Sequence, residues 1–225
     1  MALFKAKARQ TSAVSRVSEG ADSYVRALRD GSLSTAGFIQ AMCMEGRMFA
    51  ANGGTATGPL TFGAGSLDTT EIDMLVLAPA GTTIIPIEVC IQVEAYGSTA
   101  IFEALVSCGS GGVVGTDTDV VPVCMNTHLG YTAQCACGVS SAADATYFTS
   151  NLIELERWGA AKAVTVGTAD DDSAWPPANY AWRASQGGYL PIIKGIGGLA
   201  VFVAAQASTG FISAKWIEVP DSYFS

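Results

Sequence analysis

Between positions 124 and 137 the chain carries Cys124, His128, Cys135 and Cys137, the ligand types that zinc favours. Their spacing argues against a metal knuckle, because a Cys-x-Cys pair within a strand splays less favourably than Cys-x-x-Cys in a turn. Cys135 and Cys137 also alternate in phase with Tyr131, Ala133 and Val139. That phase puts both sulfurs on an apolar face, where a free cysteine behaves as a small hydrophobe. His128 is the only histidine, and no Ser or Cys near it resembles a nucleophile elbow, so no triad or Cys–His dyad is written locally. Cys90 and Cys108 flank a strand pair and could face one another.

Other candidate groups are weaker. Asp170-Asp171-Asp172, and Asp117 with Asp119 near Gly115, offer oxygen ligands of the kind calcium takes, but neither follows an EF-hand pattern. Gly109 to Gly115 is glycine-rich, yet no helix with Lys-Ser or Lys-Thr follows, so it reads as a loop rather than a phosphate cradle. Glu88 and Glu94 share one strand face, as do Glu154 and Glu156. Paired carboxylates of a glycosidase need a cleft lined with aromatics, and Trp158, Trp175, Trp182 and Trp216 are scattered. The residues assign no catalytic, cofactor or metal site, and the expectation is a chain that is not an enzyme.

The elements that would position any site are strands. From Ile85 to Ala95 the odd positions are Ile85, Ile87, Val89, Ile91, Val93 and Ala95, and Pro86, Glu88, Cys90, Gln92 and Glu94 lie between them. A two-residue period rich in β-branched side chains predicts a strand with one buried and one wet face. Tyr96 to Thr99 supplies turn chemistry, and Ala100, Phe102, Ala104 and Val106 mark a returning strand, which predicts a long antiparallel hairpin. Leu199 to Ala207, the turn at Ser208-Thr209-Gly210, and Phe211 to Val219 predict a second one. Trp216 alternates with Ile212 and Ala214, so it belongs in the core or in a subunit interface. Further strand-like runs lie at Pro59 to Gly63, Glu71 to Ala78, Val120 to Met125, Tyr131 to Val139, Tyr147 to Trp158 and Leu190 to Ile193. Ala160 to Val166 reads as another strand or as the continuation of the previous one. Residues 168–188 read as a long exposed loop. The sum is an all-β, antiparallel jelly-roll sandwich of about eight to ten strands.

The amino-terminal part differs. Residues 1–20 mix Ala, Ser, Lys and Arg and read as a mobile arm. Ala21 to Arg29 predicts a short helix, and Ser34 or Thr35 would cap a second one running through Met48 and stopped by Asn52-Gly53-Gly54. The domain reading is therefore residues 1–54 as arm and helical segment, and 55–225 as the sandwich.

Charge sharpens this division. Only 14% of residues are charged and 25 are glycine, the composition of a subunit whose surface is largely covered by neighbours. Residues 1–30 hold six of the twelve cations and are net +3, whereas the remaining 195 residues are net −11. No Lys or Arg lies between Arg47 and Arg157, so the body offers no broad face to nucleic acid. The arm cations Lys5, Lys7, Arg9 and Arg16 are the candidate contacts, either to acidic patches of adjacent subunits or weakly to nucleic acid. No apolar run reaches the ~20 residues a membrane helix needs, and Met1 to Gln10 lacks the apolar region of a secretory signal. Six cysteines then fit a reducing compartment as thiols.

A basic Ala/Ser-rich arm, a short helical segment and a glycine-rich, charge-poor sandwich together resemble a viral, phage-type jelly-roll capsid or virion structural protein. The closing pattern is similar to the last hairpin of such shell proteins. It runs Gly197-Gly198-Leu199-Ala200-Val201-Phe202-Val203, then Thr209-Gly210-Phe211-Ile212-Ser213 and Trp216-Ile217-Glu218-Val219-Pro220. The resemblance covers the layout from about residue 55 onward. It implies a self-assembling subunit of, or decoration on, a shell, made in the host cytoplasm and found in the virion. Its partners would be copies of itself and other virion proteins, and it would have no cofactor. A homotrimeric receptor- or glycan-binding module, similar to tumour-necrosis-factor-type domains, is the alternative, and an enzyme on a sandwich fold is a third reading.

Overall fold

A computed structural model of the chain describes residues 37–62, 67–95, 101–112, 118–139, 147–161, 179–204 and 208–224. The helices are α1 (Phe38–Met44) and α2 (Ala184–Gly187), and a 3₁₀ turn spans Asp221–Tyr223. The early strands are β1 (Met48–Gly53), β2 (Leu60–Thr61), β3 (Met74–Ala78), β4 (Thr82–Ala95), β5 (Ile101–Ser110) and β6 (Thr118–Asp119). Then come β7 (Val123–Cys124), β8 (Ala136–Val139), β9 (Ser150–Ala161), β10 (Asn179–Arg183), β11 (Ile193–Lys194), β12 (Gly197–Ala204) and β13 (Thr209–Pro220). They form an all-β sandwich. One sheet runs β10-β4-β13-β1-β7, with β11 beside β4 and β2 beside β13, and the other runs β6-β8-β3-β12-β5-β9.

The core lies between the sheets. Val89, Ile91 and Val93 of β4, and Ile212, Ala214 and Trp216 of β13, face Val76 of β3, Ala104, Val106 and Cys108 of β5, and Leu199, Val201 and Val203 of β12. The inner residues of each long strand fall at every second position, as an apolar pleat requires. Both outer faces carry smaller apolar clusters. Ile72, Leu75, Leu105, Phe148, Ala200 and Phe202 gather on the six-stranded sheet. Met42 of α1, with Ile39 and Cys43, packs on Met48, Ile85, Ile217 and Val219 of the seven-stranded one.

Neither expected hairpin forms. β4 pairs with β10, β11 and β13, whereas β5 pairs with β12 and β9 in the opposite sheet. Likewise β12 lies between β3 and β5, while β13 lies between β4 and β1. Each of these chain reversals crosses from one sheet to the other, because its two flanking strands bury their apolar faces against each other rather than bonding edge to edge. Nor do Cys90 and Cys108 face one another: Cys90 is on β4, half-buried, and Cys108 on β5 is fully buried in the core.

The single buried face expected for β4 is also divided. Glu88 stands opposite Lys215 and Pro86 opposite Trp216, so Ile87 is an extra residue, a β-bulge. Before it, Ile85 and Ile87 face α1; after it, Val89, Ile91 and Val93 face the core.

α1 stops at Met44, not Met48. Gly46 takes φ +72°, its N–H donates to the Cys43 carbonyl (3.0 Å), and the Arg47 N–H donates to that of Met42 (2.9 Å). This is a Schellman motif, for which glycine supplies the left-handed residue. The chain then enters β1, whose residues Met48 to Gly53 pair with Ile217 to Ile212 of β13. The expected loop at 168–188 contains β10, whose Tyr180 and Trp182 alternate into the core. β9 continues to Ala161, so the strand expected from Ala160 is its extension. The arm, with Lys5, Lys7, Arg9 and Arg16, and the expected helix Ala21 to Arg29 lie outside the described residues.

Candidate functional site

At one end of the sandwich, α1 hands over to β1, β13 finishes, and the segment from Met125 to Cys135 folds across. Between them lies a cavity of about 770 Å³ whose wall includes Met44, Arg47, Leu129, Tyr131, Gln134 and Pro220. That volume is within the range of small-molecule pockets.

Glu218 organises this end. It lies on β13 in phase with Trp216, so its side chain turns inward and is buried. Oε1 accepts from the Trp216 indole N–H (2.9 Å) and the Cys135 N–H (3.3 Å), and Oε2 accepts from the Gln134 N–H (2.7 Å). A buried carboxylate needs such donors to offset its lost hydration. Arg47 donates Nε to Glu45 Oε2 (3.2 Å) and reaches the Glu218 carbonyl with Nη1 (3.5 Å). The carboxylate pins residues 134–135 against β13 and so acts as a brace.

The cysteines follow the alternation of their strands. Cys124, Cys135 and Cys137 are buried. The Cys124 Sγ–H is placed to donate to the carbonyls of Gly46 and Asn126, each at 3.5 Å. Burial pushes the Cys135 thiol far up, and the Glu218 charge pushes it further, so the sulfur stays protonated. His128 is exposed, with its backbone N–H donating to Asn126 Oδ1 at 3.2 Å. Among the described residues no group of three or more His, Cys, Asp or Glu could hold a metal ion.

The carboxylates of each pair have different surroundings. Glu88 sits between Lys215 and Arg183, bonded to both, with Arg183 Nε at 2.5 Å. Glu94 is exposed at the far end of the strand, and Glu154 is held by Arg157 (2.7 Å) while Glu156 is exposed. Asp117 and Asp170 to Asp172 lie outside the described residues. Of the glycine-rich run, Gly109 closes against Phe148, and Gly111 and Gly112 take φ +84° and +94°. No helix among the described residues is long and apolar enough to cross a membrane.

The rim of the cavity was not anticipated. Tyr131 (57% exposed), Met44 (45%) and Leu129 (40%) line it and stand in solvent, as do Val121 (79%), Val123 (60%) and Met125 (42%) on the segment that carries β7. Asn126 ties this segment to α1 by donating Nδ2–H to the Met44 carbonyl (2.9 Å). β7, within the segment, is the last strand of its sheet among the described residues and pairs there only with β1, through Phe49↔Cys124 and Ala50↔Val123. The sequence held a signal for this surface: from Val120 to Ala143 there is no Asp, Glu, Lys or Arg.

Comparison with family models, with curated proteins and with solved structures finds no match.

Proposed function

We propose that the sandwich is an eight-stranded jelly roll and that the chain is a structural subunit of a virion shell, assembling with copies of itself and carrying no chemistry of its own. The strand pairing carries this reading. Eight strands have five residues or more: β1, β3, β4, β5, β9, β10, β12 and β13. Counted in that order, the first pairs with the eighth, the second with the seventh, the third with the sixth and the fourth with the fifth. That is the pairing of one long antiparallel ribbon, four strands out and four back, rolled into two facing sheets. The double Greek key so produced is the architecture of viral capsid subunits, and also of lectin domains and cupins.

Composition favours the shell among these. The body from residue 31 onward is net −11 and only 14% of the chain is charged, and the Glu45 and Glu218 carboxylates in the cavity wall are already bonded within the chain. The arm with Lys5, Lys7, Arg9 and Arg16 lies across acidic neighbouring bodies in this reading, because four phosphate contacts would give only weak, salt-sensitive binding to nucleic acid.

Light scattering and negative-stain imaging of the purified full chain test the proposal. Closed particles or lattices are expected, favoured by salt that screens the bodies within a Debye length of ~8–10 Å. A monomer at micromolar concentration that salt does not assemble would overturn it, and discrete trimers retained on a glycan array would replace it with the binding-module reading.

A further inference from the structure

The geometry points to the uncharged rim of β7 and its cavity as the surface by which one copy of this chain seats on another. This inference rests on the shell reading and locates a contact within it. Three observations converge.

The first is electrostatic. Copies whose bodies each carry −11 repel one another, so contact is cheapest where a surface holds no charge of that sign. The run from Val120 to Ala143 is the longest part of the acidic body without a charged residue; its described part includes β7, the last strand of the seven-stranded sheet, and β8, inside the six-stranded one.

The second is apolar exposure. Val121, Val123, Met125, Leu129 and Tyr131 fall within eleven residues and each is at least 40% exposed. Single exposed apolar side chains are ordinary, but a contiguous group of this size marks an interaction surface.

The third is shape. Val121, Val123 and Met125, at alternate positions of the segment that carries β7, stand out as a ridge, and Leu129, Tyr131, Met44 and Pro220 border the cavity of about 770 Å³, to whose wall Asn126 of the same segment bonds through the Met44 carbonyl. A protrusion and a hollow side by side on one surface satisfy the requirement of a two-fold contact, in which the ridge of each copy enters the hollow of the other. The hollow is floored by committed groups, since the Glu218 carboxylate already accepts three N–H bonds and Arg47 is paired with Glu45. An entering apolar ridge therefore strands no buried charge.

The test is charge insertion at exposed sites. Val123→Asp and Val121→Asp, made in the full chain, should leave the circular dichroism spectrum as in the wild type, and the thermal midpoint too when both are measured dilute and at low salt, where the wild type is dissociated, because both side chains already stand in solvent in the single chain. Each should reduce assembly at least tenfold by light scattering. Leu152→Asp, on the edge strand β9 of the other sheet and 51% exposed, should assemble as the wild type does. Wild-type assembly by Val123→Asp would overturn the inference while leaving the shell reading intact. Failure of the wild type itself to assemble would remove the shell reading first. A photo-crosslinking side chain at position 123 supplies the second measurement. Dimer-sized products joined to residues 120–134 or to the cavity wall support the contact. Monomer-sized products joined to residues 1–36 would show that the arm fills the hollow, and would overturn it.

Discussion

Trp216→Phe isolates what the Glu218 brace contributes to stability. Trp216 is completely buried and its indole N–H donates to Glu218 Oε1 at 2.9 Å. Phenylalanine keeps the site apolar but removes that donor, and a hydrogen bond to a charged group is worth about 1.5–3 kcal/mol. The smaller ring also leaves a void, which at about 24 cal/mol per Å³ over ~40 Å³ adds about 1 kcal/mol. The expected cost is therefore about 2.5–4 kcal/mol. Glu218→Gln keeps one acceptor oxygen and turns an amide N–H₂ toward backbone donors, at about 1–3 kcal/mol for the buried donor left unpaired. If both changes act through the same bond, the double variant costs less than the sum by about 1–2 kcal/mol. Urea unfolding at fixed protein concentration, followed by far-UV circular dichroism, measures all four corners. Trp216→Phe within about 0.5 kcal/mol of the wild type, or strict additivity in the cycle, would refute the reasoning.

Three further outcomes follow from the same geometry. The hydrogen bond from Lys215, aided by Arg183 and opposed by partial burial, holds the Glu88 carboxyl below its ordinary value of 4.5. Its contribution is then complete above that value and lost as pH falls through the lowered one, so the penalty of Glu88→Gln, about 1 kcal/mol or less, should shrink as the pH is taken down below the ordinary value; melting curves showing a constant difference throughout the acid range would contradict this. Half-buried Cys43 and Cys90 should react with a thiol reagent in the native protein, whereas buried Cys108, Cys124, Cys135 and Cys137 should react only on unfolding; four fast thiols would show the core placement wrong. A Cβ at Gly198 in β12 would run into the Val76 carbonyl oxygen, whereas one at Gly159 meets nothing within 4 Å, so Gly198→Ala should lower the melting temperature by many degrees and Gly159→Ala by few, with equal midpoints counting against the packing.

Much of the strand content was legible, and the pairing was not. Alternation places Trp216, Cys135 and Cys137 inward, and all three are buried. Periodicity reports which face of a strand is covered but not which strand lies beside it. β4 to β5 and β12 to β13 therefore read as hairpins, although each step changes sheet. β10 was hidden because five residues carrying only Tyr180 and Trp182 as a period sit close to Pro176-Pro177 and Gly187-Gly188. Glu218 had a readable signal: an acid in phase with Ile212, Ala214 and Trp216 must face the core and must find donors there. Those donors come from residues 134–135, far away in sequence, and no local pattern names them.

The bulge at Ile87 ties these observations together. An unbroken pleat would put Ile85 on the same face as Val89 and Ile91, and β4 would have one apolar side along its whole length. The extra residue turns Ile85 and Ile87 outward at one end while keeping Val89, Ile91 and Val93 inward at the other. One strand can then bury apolar surface against the opposite sheet and also hold α1 against the outside of its own. Met42 and Ile39 dock on that outer patch, and the Schellman turn at Gly46 carries the chain directly into β1. Met44 and Arg47, on either side of that turn, are thereby fixed in the wall of the cavity, next to β7. The irregularity in β4 is thus what seats the helix whose end shapes the proposed contact, so a change that straightens the strand would act on that surface without touching it.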